Sequence, residues 1–185
     1  MKILKGCLIT IIAFVLICTV GYYFYRNSVI SNLESSSKNV EENWKKYTEN
    51  TNLRNKKLIL ETIKNDTLQH YLKISNDIEK KEFSREFEYI EYKININLMS
   101  ENIATDFNEK LNSNVDVYNQ SVREYNSYRV TFPNSLIARK TDYPKSFKYF
   151  DIIRYGIENE NPKEKRQKVD NWIKNHGVRY FNELT

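Results

Sequence analysis

From Tyr22 to Phe132 the chain contains neither glycine nor proline. Turns and helix ends ordinarily use both residues, so a globular stretch of this length would contain several of each. Long helices joined by a few Asn- or Ser-type turns account best for their absence. This one feature predicts an all-α body.

The apolar spacing agrees. Leu33, Val40, Trp44, Tyr47 and Thr51 recur at helical intervals, and Leu53, Leu60, Ile63, Tyr71, Ile74 and Ile78 largely do so. The clearest stripe is Ile103, Phe107, Leu111, Val115, Tyr118, Val122, Tyr125 and Phe132, which one helix would carry on one face. Ser31-x-x-Glu34 and Asn161-x-x-Glu164 match helix starts, where a side-chain oxygen accepts from an orphan backbone N–H. Pro162 suits the first turn of a last helix and Gly177 its end. Residues 91–98, Glu-Tyr-Lys-Ile-Asn-Ile-Asn-Leu, alternate as a strand would, but no partner strand is found elsewhere, and we read them as helix.

Ahead of this body, residues 6–25 form a twenty-residue run without a charged side chain, flanked by Lys5 and Arg26. At ~1.5 Å per residue such a helix spans the ~30 Å hydrocarbon core of a bilayer. A cleaved signal would have a shorter apolar region and a small-x-small cleavage site. Here the run ends in the bulky Tyr22, Tyr23, Phe24 and Tyr25. A lipoprotein cysteine is also disfavoured, because Cys18 follows Ile17 and Cys7 has no apolar region ahead of it. The reading is a retained transmembrane helix, with the terminal tyrosines at the membrane interface. Lys2 and Lys5 precede the run, while Arg26 and Lys38 follow among Glu34, Glu41 and Glu42. That bias places the N-terminus inside and the body outside the cytoplasm.

The formal net charge of +5 invites a nucleic-acid reading. Lys2, Lys5 and Arg26 account for three of the 29 basic residues, leaving 26 against 24 acidic ones in the body. Without a basic stripe interleaved with aromatics, the mixed charge describes a solvated surface and argues against nucleic acid as a partner. Both cysteines lie in the apolar run, so no disulfide framework exists.

A series of apolar and amide residues stands in register late in the body. Tyr118-Asn119, Val122, Tyr125-Asn126, Phe132-Pro133 and Leu136-Ile137-Ala138, followed by Phe147 or Phe150, resemble the C-terminal signature of the LemA family. Val40-Glu41-Glu42-Asn43-Trp44 resembles its first-helix motif, and Glu61-Thr62-Ile63-Lys64 its ETVK segment. The resemblance covers roughly residues 1–150. Two features depart from it: Leu53-Arg54-Asn55-Lys56-Lys57-Leu58 stands where the family usually has paired arginines and a DLIPN run, and no YP-x-L motif is recognisable. The resemblance implies a helical bundle on a membrane anchor. It implies no enzyme, because that family has no established activity.

The motif also reads physically. Tyr118, Tyr125 and Phe132 recur at seven and would share a packing seam, with Asn119 and Asn126 on its flank, free to bind a neighbouring backbone or side chain. Pro133 would end the helix near Phe132. Trp44, Tyr118, Asn119, Val122, Tyr125, Asn126, Phe132, Pro133, Ile137 and Ala138 are thus candidates for a structural or interaction motif. Catalytic, cofactor and metal signatures are absent. His70 and His176 are isolated, and His176 suits a helix C-terminus. No glycine-rich phosphate loop occurs, and Glu41-Glu42 and Glu86-x-Glu88 read as solvated helix faces.

The expected architecture is a tail (1–5), a transmembrane helix (6–25), an antiparallel bundle of long helices (28–150) and an extension with a short helix (151–185). The expected function is that of a single-pass envelope protein acting through an unidentified protein partner, without cofactor. The alternatives are an envelope hydrolase with unassigned carboxylates and a secreted interaction domain released by signal cleavage.

Overall fold

A computed structural model describes the backbone of residues 2–61, 65–103, 105–150 and 154–182, and side chains within the range 10–172. Thr62, Ile63 and Lys64 of the ETVK-like segment, and the His176 side chain, lie outside the described residues. Among the described residues the chain forms six helices and no strand: α1 (Lys2–Leu60), α2 (Asp66–Asp77), α3 (Arg85–Ser100), α4 (Asn108–Val130), α5 (Asn134–Ala138) and α6 (Pro162–Asn182). The turns use the residues the missing breakers left available. Asn65 Oδ1 accepts from the Leu68 N–H at 2.8 Å and Ser84 Oγ from the Phe87 N–H at 3.1 Å, each satisfying a first-turn donor.

Two boundaries differ from expectation. Ser31-x-x-Glu34 starts nothing, because α1 runs through it without a break. A capping box acts only where preceding residues leave the helix, and here the apolar run is itself helical. At the other end, Gly177 does not terminate α6, which extends to Asn182. Asn161 does cap α6, its Oδ1 accepting from the Lys163 N–H at 3.0 Å.

Two compact units divide the chain, and α1 and α4 contribute to both. The first comprises Met1–Val40 and Gln120–Phe147. Its buried apolar side chains are Val29, Leu33 and Val40 from α1, Val122 and Tyr125 from α4, and Ile137 and Ala138 from α5. Arg129 is buried among them and donates to the Ala138 carbonyl at 2.9 Å, satisfying the end of α5. Beyond this core, α1 carries the exposed side chains Ile11, Ile12, Phe14, Val15, Leu16, Ile17, Val20 and Phe24. Over this part it is long and apolar enough to cross a membrane.

The second unit comprises Glu41–Asn119 and Lys148–Thr185. One apolar cluster joins Leu58 of α1, Leu68 and Leu72 of α2, and Ile90, Ile94 and Leu98 of α3. An aromatic cluster surrounds Trp44, whose ring lies 5.2–6.2 Å from those of Tyr47, Phe83, Phe87, Tyr118 and Phe150. Such tilted and edge contacts add ~0.5–1.5 kcal/mol per pair beyond area burial.

The helical reading of 91–98 holds, since these residues lie inside α3. Their alternation misleads because Glu91 and Asn95 are buried alongside Ile94 and Leu98. The stripe through Leu53 and Leu60 does not hold: these side chains are 52% and 81% exposed. The buried face of α1 continues instead through Thr51, Arg54, Asn55 and Leu58, three of them polar. Leu58→Ala should therefore cost ~2–5 kcal/mol as a buried truncation. Leu53→Ala should stay within ~0.5 kcal/mol as a surface change. Paired chemical denaturation of the two variants checks the assignment.

Candidate functional site

The second unit contains a closed polar network. Arg54 and Glu91 are both fully buried, and Arg54 Nη2 donates to Glu91 Oε1 at 3.0 Å. Arg54 Nη1 lies 2.9 Å from Oε2 as an ionic contact without hydrogen-bond alignment. Ser75 Oγ donates to Oε1 at 3.0 Å and Tyr155 Oη to Oε2 at 2.9 Å. Tyr47 and Tyr155 share a 2.5 Å hydroxyl contact. Asn55 completes the circuit: its Oδ1 accepts from Arg54 Nε and Nη2 at 3.1 and 2.7 Å, and its Nδ2 donates to Ser75 Oγ at 2.9 Å.

The electrostatics follow from burial. Desolvation pushes the Tyr47 phenol well up, with neighbouring Tyr155 and Glu91 adding to it. Tyr155 is likewise raised by burial and then by Glu91. Burial, the largest influence, opposes charge on Arg54, but Glu91 together with Tyr155 and Tyr47 outweighs it and keeps the guanidinium protonated. The arrangement holds one ion pair in the dry interior and keeps two phenols neutral around it. Both carboxylate oxygens of Glu91 are already engaged from several sides, so the network ties α1, α2, α3 and Tyr155 together and presents nothing to a substrate.

A second arrangement involves the expected motif. In the second unit, Asn119 Nδ2 donates to the Phe150 carbonyl at 2.7 Å while its Oδ1 accepts from the Phe150 N–H at 2.8 Å. Asn112 treats Tyr155 in the same way, at 3.2 and 2.8 Å. Asn95 of α3 takes the N–H of Gly156 and the carbonyl of Ile157, each at 2.9 Å. Gly156 has φ +81°, and a Cβ there would come within 2.7 Å of Asn108 Nδ2, so only glycine fits. Tyr118 Oη donates to the Lys148 carbonyl at 2.9 Å. Within the first unit, Asn126 clamps Phe147 through both backbone groups at 2.9 Å, and Tyr125 Oη donates to the Pro144 carbonyl at 2.6 Å. Burial raises the Tyr118 phenol, with Glu82 adding to it, and burial raises Tyr125 as well.

The structure thus separates the motif residues by what they touch. Trp44, Tyr118, Val122, Tyr125, Ile137 and Ala138 are buried, and Asn119 and Asn126 bind backbone from the helix flank. Phe132 departs from the expected seam. It lies beyond the end of α4, in the turn before α5, and is 75% exposed. Pro133 stands as the N-cap of α5, after a cis Phe132–Pro133 peptide. Asn95 and Asn112, which do the same work as Asn119, carry no aromatic partner that would have marked them in the sequence. Arg54 and Glu91 were equally silent, since each looks like an ordinary surface charge. Among the described residues no three His, Cys, Asp or Glu side chains are grouped as a metal site requires. The chain matches no known family model, curated protein or solved structure.

Two outcomes are expected from these contacts. Tyr125→Ala should cost ~3–5 kcal/mol as a large buried aromatic, and Asn119→Ala ~1–3 kcal/mol by orphaning the Phe150 backbone. Phe132→Ala should stay within ~0.5 kcal/mol. Denaturant midpoints rank the three, and equal effects at Tyr125 and Phe132 would refute the packing described. The second outcome concerns pH. An unfolded tyrosine loses its proton near ~10, whereas folded Tyr47, Tyr118 and Tyr155 retain theirs. Above that pH the unfolded chain binds fewer protons than the folded one. Stability should therefore fall as pH rises, by up to ~1.4 kcal/mol per pH unit for each tyrosine. Phenolate absorbance and circular dichroism followed together should show these phenols ionising only as helix is lost.

Proposed function

We propose that this chain is a single-pass membrane protein of the cell envelope whose helical body, an antiparallel bundle akin to the LemA family, works as a scaffold or interaction module. The observation that carries this reading is the exposed apolar part of α1. None of its side chains between Thr10 and Phe24 is buried, so the protein itself supplies no cover for that surface. A bilayer is the solvent that such a helix fits, since helical backbone satisfies its own hydrogen bonds there.

The body supports an interaction role through how its polar groups are used. Of its buried charges, Arg54 is paired with Glu91, Glu88 with the half-buried Arg166, and Arg129 donates to the Ala138 carbonyl. The amides that resemble a family motif are committed to the chain's own backbone. Recognition then falls to the outer surface, and the partner is a protein. Lys2 and Lys5 before the span favour an N-terminus inside and a body outside the cytoplasm.

The full chain should stay in the membrane pellet through a urea wash and have the mass of an uncleaved product. A soluble fragment beginning near residues 20–30 would overturn the anchor. With Cys7 and Cys18 replaced by serine, Ser146→Cys should react with an impermeant maleimide on intact cells. Reaction only after lysis would reverse the sidedness.

A further inference from the structure

The apolar run of α1 ends at Tyr25, where Arg26 restores charge. There the Tyr25 hydroxyl donates to Asn134 Oδ1 at 2.5 Å, and Asn134 opens α5. An open groove of about 510 Å³ lies alongside, lined by Tyr22, Tyr25, Pro133, Leu136, Ile137 and Lys140. Within the first unit, the turn leading into α5 is therefore fixed beside the stretch of α1 that leaves the hydrocarbon.

That turn is unusual for a surface facing water. Val130, Phe132 and Leu136 are 70%, 75% and 53% exposed, three large apolar side chains within seven residues. No acidic residue occurs between Glu124 and Asp142, whereas Arg139 and Lys140 are present and exposed. Exposed apolar groups beside cations, at the level of tyrosines ending a span, are the chemistry of a membrane interface. Apolar side chains there enter the acyl boundary, and cations meet lipid phosphates.

We propose that the 130–140 turn is a second membrane contact. It seats Val130, Phe132 and Leu136 in the headgroup region of the bilayer that α1 enters, with Arg139 and Lys140 on anionic phospholipid headgroups. This rests on the reading of α1 as a membrane anchor. The occupant is lipid, because the groove is continuous with the span through Tyr22 and Tyr25 and carries Lys140 without a carboxylate in its lining. The turn gives the first unit a fixed attitude to the membrane, where a single helix alone would allow it to swivel.

The test uses the full chain with Cys7→Ser and Cys18→Ser in nanodiscs of phosphatidylcholine and phosphatidylglycerol. A nitroxide is attached in turn at Phe132→Cys and Leu136→Cys. Ile17→Cys, in the anchor, and Ser146→Cys, exposed on the body, serve as references. Relaxation by oxygen reports lipid, and relaxation by a nickel chelate reports water. The labels at 132 and 136 should be relaxed more by oxygen than by nickel, to a degree between the two references. Adding Arg139→Glu and Lys140→Glu should move both toward the aqueous reference. Nickel-dominated relaxation at 132 and 136, with oxygen dominant at 17, would overturn the docking and leave the anchor standing. Nickel dominance at 17 would remove the anchor, and this proposal with it. Shielding from both reagents at 132 and 136 would mean a protein covers the turn, and would overturn lipid as its occupant.

Discussion

Burying Arg54 against Glu91 sets the terms for the second unit. Moving either ion out of water costs several kcal/mol even after relaxation, and their mutual attraction offsets this only when the remaining hydrogen-bonding capacity is met. That requirement explains the neighbours. Ser75 must reach Oε1 from α2, Tyr155 must reach Oε2 from the segment ahead of α6, and Asn55 must take up the guanidinium edge. Ser75 and Tyr155 come from stretches of chain other than the two helices that carry the pair. The pair therefore penalises any packing in which one of those stretches is displaced. An apolar core of the same volume would hold comparable stability. Breaking the pair from one side is the costly change, because it leaves an uncompensated charge where no water reaches.

The same requirement explains which parts of the fold were legible. Leu33, Val40, Trp44 and Tyr47 announce one face of α1, and Leu111, Val115, Tyr118, Val122 and Tyr125 one face of α4. In both, burial follows hydrophobicity. The helices between them hide their buried faces. From Thr51 onward α1 packs Arg54 and Asn55 inward, so a search for apolar spacing drifts to Leu53 and Leu60, which face water. Residues 91–98 look like a strand because Glu91 and Asn95 count as polar in any periodicity and yet belong to the core. Polarity in a sequence does not disclose whether a partner waits inside. Phe132 fails in the opposite sense: its heptad spacing places it on the seam, but the helix has already ended at Val130.

The asparagines illustrate how a helix can hold a chain segment that forms no sheet. A strand satisfies its backbone on another strand, and a helix has no free backbone to offer along its side. Along one edge the Asn carboxamide presents its C=O and one of its two N–H groups, in the geometry of a peptide edge. It can therefore pair with the N–H and C=O of a single residue, as Asn119 does with Phe150 and Asn126 with Phe147. A shorter or longer polar side chain changes the reach, and a carboxylate lacks the donor. The residue type is thus dictated by the chemistry of a backbone edge. The adjoining tyrosines work differently. Their rings fill the core, and their hydroxyls, which cannot be buried unpaired without cost, end on the carbonyls of Lys148 and Pro144. A Tyr-Asn pair on a helix accordingly performs two tasks, one ring inward and one amide sideways. That is sufficient reason for the pair to recur at heptad spacing without any ligand to recognise. It follows that a Tyr-Asn motif of this kind is evidence for an extended segment lying along the helix, and the place to seek an outside partner is the exposed apolar surface that the motif leaves untouched.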